Sequence, residues 1–234
     1  MRSRFTLLIA LAFLFVACSP AVPVADEAPA GEEFTITDAL GREVVLDHPP
    51  ERIVLTGKAL FMIADAVYLF PDAMERVVGM GDRFQGEHNF MAMIDPAYDE
   101  KAVLARDANA EQVAALQPDL VILKSYLADS VGAPIEALDI PVVYIDFETP
   151  EQYTRDLAIL GDVFQNEARA EMLTSYYQEQ VADVEETVAG AKKPRVLILS
   201  YNQNDGNVAF SVPPETWIQT EMVKRVGGEP AWLD

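Results

Sequence analysis

The chain has 234 residues, half of them hydrophobic, and carries 38 acidic against 17 basic residues for a formal net charge of −21. That length suffices for one sizeable core or two smaller ones. The acidic balance excludes a nucleic-acid binder, because phosphate contacts need basic patches, and a solvated acidic surface is its commonest meaning.

Residues 1–17 read as an export signal. Arg2 and Arg4 give the charged start, 5–16 form an apolar run too short to span a bilayer, and Ala17 is small. Cys18 follows at once and is the sole cysteine, so it has no partner for an internal disulfide. Phe15-Val16-Ala17-Cys18 resembles the lipobox of bacterial lipoproteins, with Phe15 in place of the usual leucine, and the resemblance implies lipidation of Cys18. Residues 18–33, rich in alanine, proline and acids, read as a flexible tether.

A hairpin follows over 34–47, with strands at 34–37 and 44–46 about a turn at 38–41, closed by Pro49 and Pro50. A βα rhythm then begins with strand 52–56, helix 59–69, strand 77–80, a polar loop 82–89 and a short strand 102–104. It continues with helix 110–116 capped by Asn109, strand 119–123, helix 128–138 and strand 142–145. Apolar strands alternating with helices predict a parallel sheet covered on both faces, an α/β, Rossmann-like lobe over 34–148.

Residues 149–193 carry the longest helical pattern. Thr149-Pro150-Glu151-Gln152 is a start signal of cap, first-turn proline and capping-box glutamine. Tyr153, Leu157, Leu160 and Phe164 make one apolar stripe. Gly161 weakens the helix, and Asn166 is placed to cap a second segment in which Met172 or Leu173, Tyr176 or Tyr177, Val181, Val184 and Val188 repeat the pattern up to Gly190. At about 1.5 Å per residue that segment spans on the order of 35 Å, so the stretch is expected to be a long backbone helix joining two lobes. After it come only a strand at 195–199, a helix at 215–226 and a Gly227-Gly228 turn. Residues 194–234 are therefore expected to be a partial α/β lobe without a closed core, as a fragment or an interrupted gene would leave it.

Four stretches stand in the order and spacing of one family: Thr37-Asp38-Ala39-Leu40-Gly41-Arg42, Pro50-Glu51-Arg52-Ile53-Val54, Asn109-Ala110-Glu111-Gln112 and Leu116-Gln117-Pro118-Asp119-Leu120-Val121-Ile122. They resemble the substrate-binding proteins of ABC importers for ferric siderophores, haem and vitamin B12, whose lobes are joined by a helical backbone. The resemblance covers residue 34 to about 232. It implies a monomeric binding protein rather than an enzyme, working with a membrane permease and its ATPase. It also implies a docking glutamate at Glu111, facing an arginine of the permease, with Glu221 as the candidate on the other lobe. Glu111 has a plainer reading too, as a first-turn acid favoured by the helix dipole.

In open parallel sheets ligands sit outside the carboxyl ends of the strands. Here those ends carry Lys58, Arg83, Arg106 and Lys124, with Phe84, Tyr126 and Phe147 as aromatic walls and Tyr201, Asn202 and Trp217 from the second lobe. Converging cations point to an anionic ligand, whereas the plain alternative is that strand ends expose loops where charges are common. A ferric siderophore is the first expectation. Haem, vitamin B12 and an oxyanion such as molybdate are the alternatives, as is a surface lipoprotein that transports nothing. His48 and His88 are too few for direct metal binding of the zinc or manganese kind, so the iron complex is cargo and no resident cofactor is expected. No G-x-S-x-G, Cys/His pair or H-E-x-x-H occurs, and Gly79-Met80-Gly81 is too short for a dinucleotide loop, so no enzyme is expected.

Overall fold

The computed structural model describes residues 34–81, 90–105, 107–204 and 207–233. The expected signal, the tether with Cys18, the loop with Arg83, Phe84 and His88, and Arg106 all lie outside the described residues.

β1 (Phe34–Thr37) and β2 (Glu43–Leu46) form the expected antiparallel hairpin. Asp38 builds its turn: Oδ1 accepts the N–H groups of Leu40 at 2.9 Å and Arg42 at 3.1 Å, and Gly41 adopts a φ of 74° that a β-carbon would oppose. Strand alternation turns Ile36, Val44 and Leu46 inward.

β3 (Ile53–Leu55), β4 (Val77–Gly81), β5 (Ala102–Leu104), β6 (Leu120–Lys124) and β7 (Val142–Ile145) form one parallel sheet in the order β5-β4-β3-β6-β7. The chain builds outward from β3 to β5 and then crosses back to lay β6 on the other side of β3, which puts a topological switch between β3 and β6. α1 (Leu60–Val67), the short α2 (Ala73–Arg76) and α3 (Phe90–Ile94), α4 (Ala110–Ala114) and α5 (Ala133–Glu136) lie between the strands. Ile53, Leu55, Leu120, Ile122, Val143 and Ile145 enter one core with Leu60 and Ile63 of α1. Val54, Val121, Leu123, Val142 and Tyr144 enter the other with Val113 of α4 and Ile135 of α5. Both faces are covered, which is why the strands read as unbroken apolar runs.

The hairpin closes one edge of this sheet. Arg42 Nη2 donates to the Val142 carbonyl at 2.9 Å and the N–H of Ala39 to the Tyr144 carbonyl at 2.9 Å. The guanidinium also pairs with Asp38 at 2.8 Å and Glu136 at 2.7 Å, and lies 4.4 Å from the Tyr144 ring centre.

The helix expected over 128–138 is broken. A 3₁₀ turn (Ser125–Leu127) and a π-type turn (Ala128–Gly132) precede α5. Pro134 has no N–H to give Ser130, so a regular helix cannot run through that point. Gly132 lets the Tyr144 ring approach, for a β-carbon there would run into Tyr144 Oη.

The start signal at Thr149 holds: Thr149 Oγ1 accepts from the Gln152 N–H at 3.2 Å and opens α6 (Pro150–Phe164), which lies against the sheet and buries Leu157, Leu160 and Phe164. Gln165 then takes a φ of 52°, and Asn166 Oδ1 accepts from the Arg169 N–H at 3.2 Å to start α7 (Glu167–Val188). The two helices run back antiparallel, with Gly161 beside Ala170 and the Tyr153 and Tyr177 rings stacked at 4.2 Å. The second segment expected from Asn166 onward is thus the long helix α7, folded back on α6, and Ala170 is the sole buried residue of α7 among those described. Met172, Tyr176 and Val184 of its expected apolar stripe are exposed, because α6 covers only one flank.

After α7 come β8 (Arg195–Val196), β9 (Ser200–Asn204), β10 (Asn207–Ser211), α8 (Ile218–Arg225) and β11 (Glu229–Pro230). β8 pairs parallel with β11, and β9 pairs antiparallel with β10. The strand expected over 195–199 stops at Val196, leaving Leu197 and Leu199 exposed. Val223 and Pro213 are the buried apolar side chains among the described residues of this segment. The expected fold class holds, as a parallel α/β lobe followed by a partial second one.

Candidate functional site

Loops after β3, β5 and β6 enclose a cleft of about 680 Å³ at the topological switch, lined by Thr56, Gly57, Lys58, Asp107, Asn109, Ser130 and their neighbours. Gly57 has a φ of 92°, and a β-carbon on it would lie 2.6 Å from Leu127 Cδ1, so the wall passes there only because the residue is glycine. Ala59, the next turn residue, has a φ of 55° and gives α1 no side-chain cap. Among the described residues no side chain caps the first N–H groups of α1, the kind of helix start that can receive an anion. Lys58 is exposed beside them and makes no ion pair among the described residues. Asn109 caps α4, accepting from the Gln112 N–H at 2.9 Å while Gln112 Oε1 accepts from the Asn109 N–H at 3.0 Å.

A second polar cluster closes the ends of β6 and β7. Lys124, expected at the ligand edge, is turned into it: its side chain is 0% exposed, and Nζ donates to the Asp146 carbonyl and to Glu148 Oε1 at 2.8 Å. A buried ammonium needs such partners, and β7 alongside supplies them. Ser125 Oγ donates to Asp146 Oδ1. Arg155 bridges Asp146 Oδ2 at 2.6 Å and Asp156 Oδ1 at 2.7 Å, while Asp156 Oδ2 accepts the N–H groups of Asp146 and Phe147 at 2.6 and 2.8 Å. Burial works against the Arg155 charge, yet the hydrogen bonds to Asp156 and Asp146 outweigh it and hold its pKa above the ordinary arginine value.

Phe147 is also placed otherwise than expected. Only 2% exposed and at a φ of 59°, it packs edge-on against Tyr153 with ring centres 5.3 Å apart. It faces a second, apolar groove of about 370 Å³ between α6, α7 and α8. Tyr126, Tyr201 and Trp217 are 58%, 55% and 49% exposed. Tyr201 meets Phe210 across its hairpin at 5.5 Å, with its hydroxyl donating to Gln203 at 2.9 Å, and Asn202 is exposed on the same strand. Trp217 stands at the N-cap of α8. Of the expected ligand residues that are described, Lys58 alone lines the switch-point cleft.

Glu111 is exposed in the first turn of α4. Glu221 is half-buried and 3.5 Å from Lys224. His48 is exposed, its pKa raised by the Pro49 carbonyl 2.8 Å from Nδ1. Asp107 and Ser130 of the cleft, and Glu148 and Arg155 of the cluster, went unread in the sequence, and Asn109 was legible only as a helix cap. A lysine ending one strand and a glutamate just past the end of its neighbour were the available signal for the cluster.

No curated protein matches the chain. Solved structures similar to it include a TroA-like periplasmic binding protein, FepB, from Veillonella parvula, at 27% identity and a TM-score of 0.57 over 71% of this chain and 52% of that one. The haem-complexed IsdE of S. aureus matches at 25% identity and a TM-score of 0.60 over 76% of this chain and 64% of that one. The petrobactin-binding protein YclQ of Bacillus subtilis shares 18% identity and, at a TM-score of 0.63, the fold, over 85% of this chain and 67% of that one. The chain thus spans between about half and two thirds of these relatives' length. The family described as periplasmic binding protein matches residues 82–232. With more than half its length matched and the switch-point sheet in place, the chain belongs to the periplasmic binding protein family.

Proposed function

We propose that the protein is the solute-binding component of an ABC importer and captures an anionic iron chelate of the siderophore type at the carboxyl edge of its sheet. The observation that carries this reading is the cleft at the β3/β6 switch, where Lys58 stands unpaired among the described residues beside the uncapped start of α1. The relatives support the chemistry, since one is a siderophore-binding protein holding ferric acinetobactin and another holds haem. Arg83 and Arg106 remain proposed ligand residues on their sequence positions, and Tyr126, Tyr201 and Trp217 proposed walls. Lipidation at Cys18 would hold the protein at the outer face of the membrane, and Glu111 would dock the permease.

The test is titration of the purified chain with a panel of ferric siderophores, haemin, cobalamin and molybdate, followed by tryptophan fluorescence. A ferric chelate should bind, and Lys58→Glu should weaken it on the order of tenfold, as loss of a charged hydrogen bond does. Haemin bound in preference would move the reading to haem. Molybdate bound alone, or a Lys58→Glu variant with unchanged affinity, would overturn it.

A further inference from the structure

Glu148 sits where the first-lobe sheet meets α8. Its Oε1 is 2.8 Å from the buried Lys124 ammonium, and its Oε2 accepts the N–H of Ile218, the first residue of α8, at 3.2 Å. Trp217, the N-cap of α8, gives no side-chain hydrogen bond, so Glu148 performs from 70 residues away what a capping side chain does locally. A carboxylate at that end of the helix is also favoured by the helix dipole.

α8 buries Thr220 and Val223 within the second-lobe segment, but its side toward the first lobe is loosely packed. The groove there is open, with Met222 of α8 and Val226 at its C-cap exposed and Val184 of α7 facing the same space. At the far end Arg225 reaches Glu151 at 3.3 Å and Glu185, and these are surface pairs of small worth. Among the described residues, the polar tie that runs from α8 into the buried structure of the first lobe is the one through Glu148.

We infer that Glu148 is a positioning residue: it fixes α8, and with it Trp217, relative to the end of β6 through Lys124. The use of Trp217 as a ligand wall rests on the function proposed above, whereas the positioning does not and is tested without ligand. Ile218→Pro isolates the tie. Proline suits the first helical position, and Trp217 at φ −91° and ψ 152° already has the extended backbone that a residue before proline needs. The variant loses the N–H and leaves the Lys124–Glu148 pair intact, and Ile218→Ala is the control that trims the side chain but keeps the N–H.

Hydrogen exchange of the full chain should show α8 amides beyond residue 218 opening about five- to tenfold faster in Ile218→Pro than in Ile218→Ala, the usual effect of losing a cap, with β6 unchanged. In a Trp232→Phe background, acrylamide should quench Trp217 more readily in the proline variant. Glu148→Gln, which keeps an acceptor for the N–H, should protect α8 better than Glu148→Ala. Equal exchange in the proline and alanine variants at 218 would overturn the inference. So would acceleration shared equally by β6, or Trp217 quenching that does not change.

Discussion

Gly161 is a point where α6 and α7 come closest to touching through their backbones, and substituting it sets two effects of known size against each other. A β-carbon there would lie 2.8 Å from Ala170 Cβ and 3.5 Å from Glu167 Cα. In Gly161→Ala the helix gains about 1 kcal/mol of propensity. The overlap costs about 1–3 kcal/mol, because a packed interior yields little. Here the opposing atom is a β-carbon fixed to a second helix, and both residues are buried, so the upper part of that range applies. The net expectation is a loss of about 1–2 kcal/mol, read as a lower urea midpoint with an unchanged slope. Adding Ala170→Gly should restore the room, and a double-mutant cycle should return a coupling of about 1–2 kcal/mol between neighbours in direct contact. A stabilised Gly161→Ala variant, or a coupling near zero, would show that the hairpin is not held by this contact.

Tyr144 offers a second test, since its hydroxyl is buried with no hydrogen-bond partner among the described residues. Tyr144→Phe should be neutral or stabilising by about 1 kcal/mol. Burial pushes the Tyr144 pKa up to about 12, so the folded state keeps a proton that the unfolded chain loses near pH 10. Stability should therefore fall between about pH 10 and 12 in the parent and less in the Phe variant, which urea titrations at those pH values would check. The Lys124–Glu148 pair should be asymmetric: Glu148→Ala strands a fully buried ammonium and should cost about 3–5 kcal/mol. Lys124→Met leaves a carboxylate that is 21% exposed and still bonded to Ile218, and should cost less; the reverse order of urea midpoints would refute the assignment. Glu111→Arg should abolish uptake in cells while leaving chelate binding unchanged, and Cys18→Ala should move the protein to the soluble fraction; normal uptake or retained membrane association would count against each proposal.

What could be read from the sequence followed the range of the interactions involved. The caps at Asn109, Thr149 and Asn166 were legible because each side chain bonds an N–H three residues on. The sheet was legible because strands such as Leu120–Lys124, buried on both faces, leave uninterrupted apolar runs. The setting of Lys124 was not legible because its direction depends on Glu148, 24 residues away and adjacent only once β7 lies beside β6. The exposed face of α7 was misread for a related reason, since helical periodicity marks a face but not whether anything covers it. The β9–β10 hairpin was missed although Asp205-Gly206, a strong two-residue turn signal, stands between its strands in the sequence.

The two margins of the main sheet are treated unequally, and this bears on how the protein keeps at high concentration. Arg42 and Ala39 occupy the outward carbonyls of Val142 and Tyr144, so β7 has these two acceptors already taken where a foreign strand would seek them. At the opposite margin no strand pairs with the outer side of β5 among the described residues, and Val103 there is 64% exposed. β5 is only three residues long, and that brevity is its main protection against fibrillar growth. Self-association through the sheet would thus favour the β5 flank, and a charge at Val103 is the change that would close it.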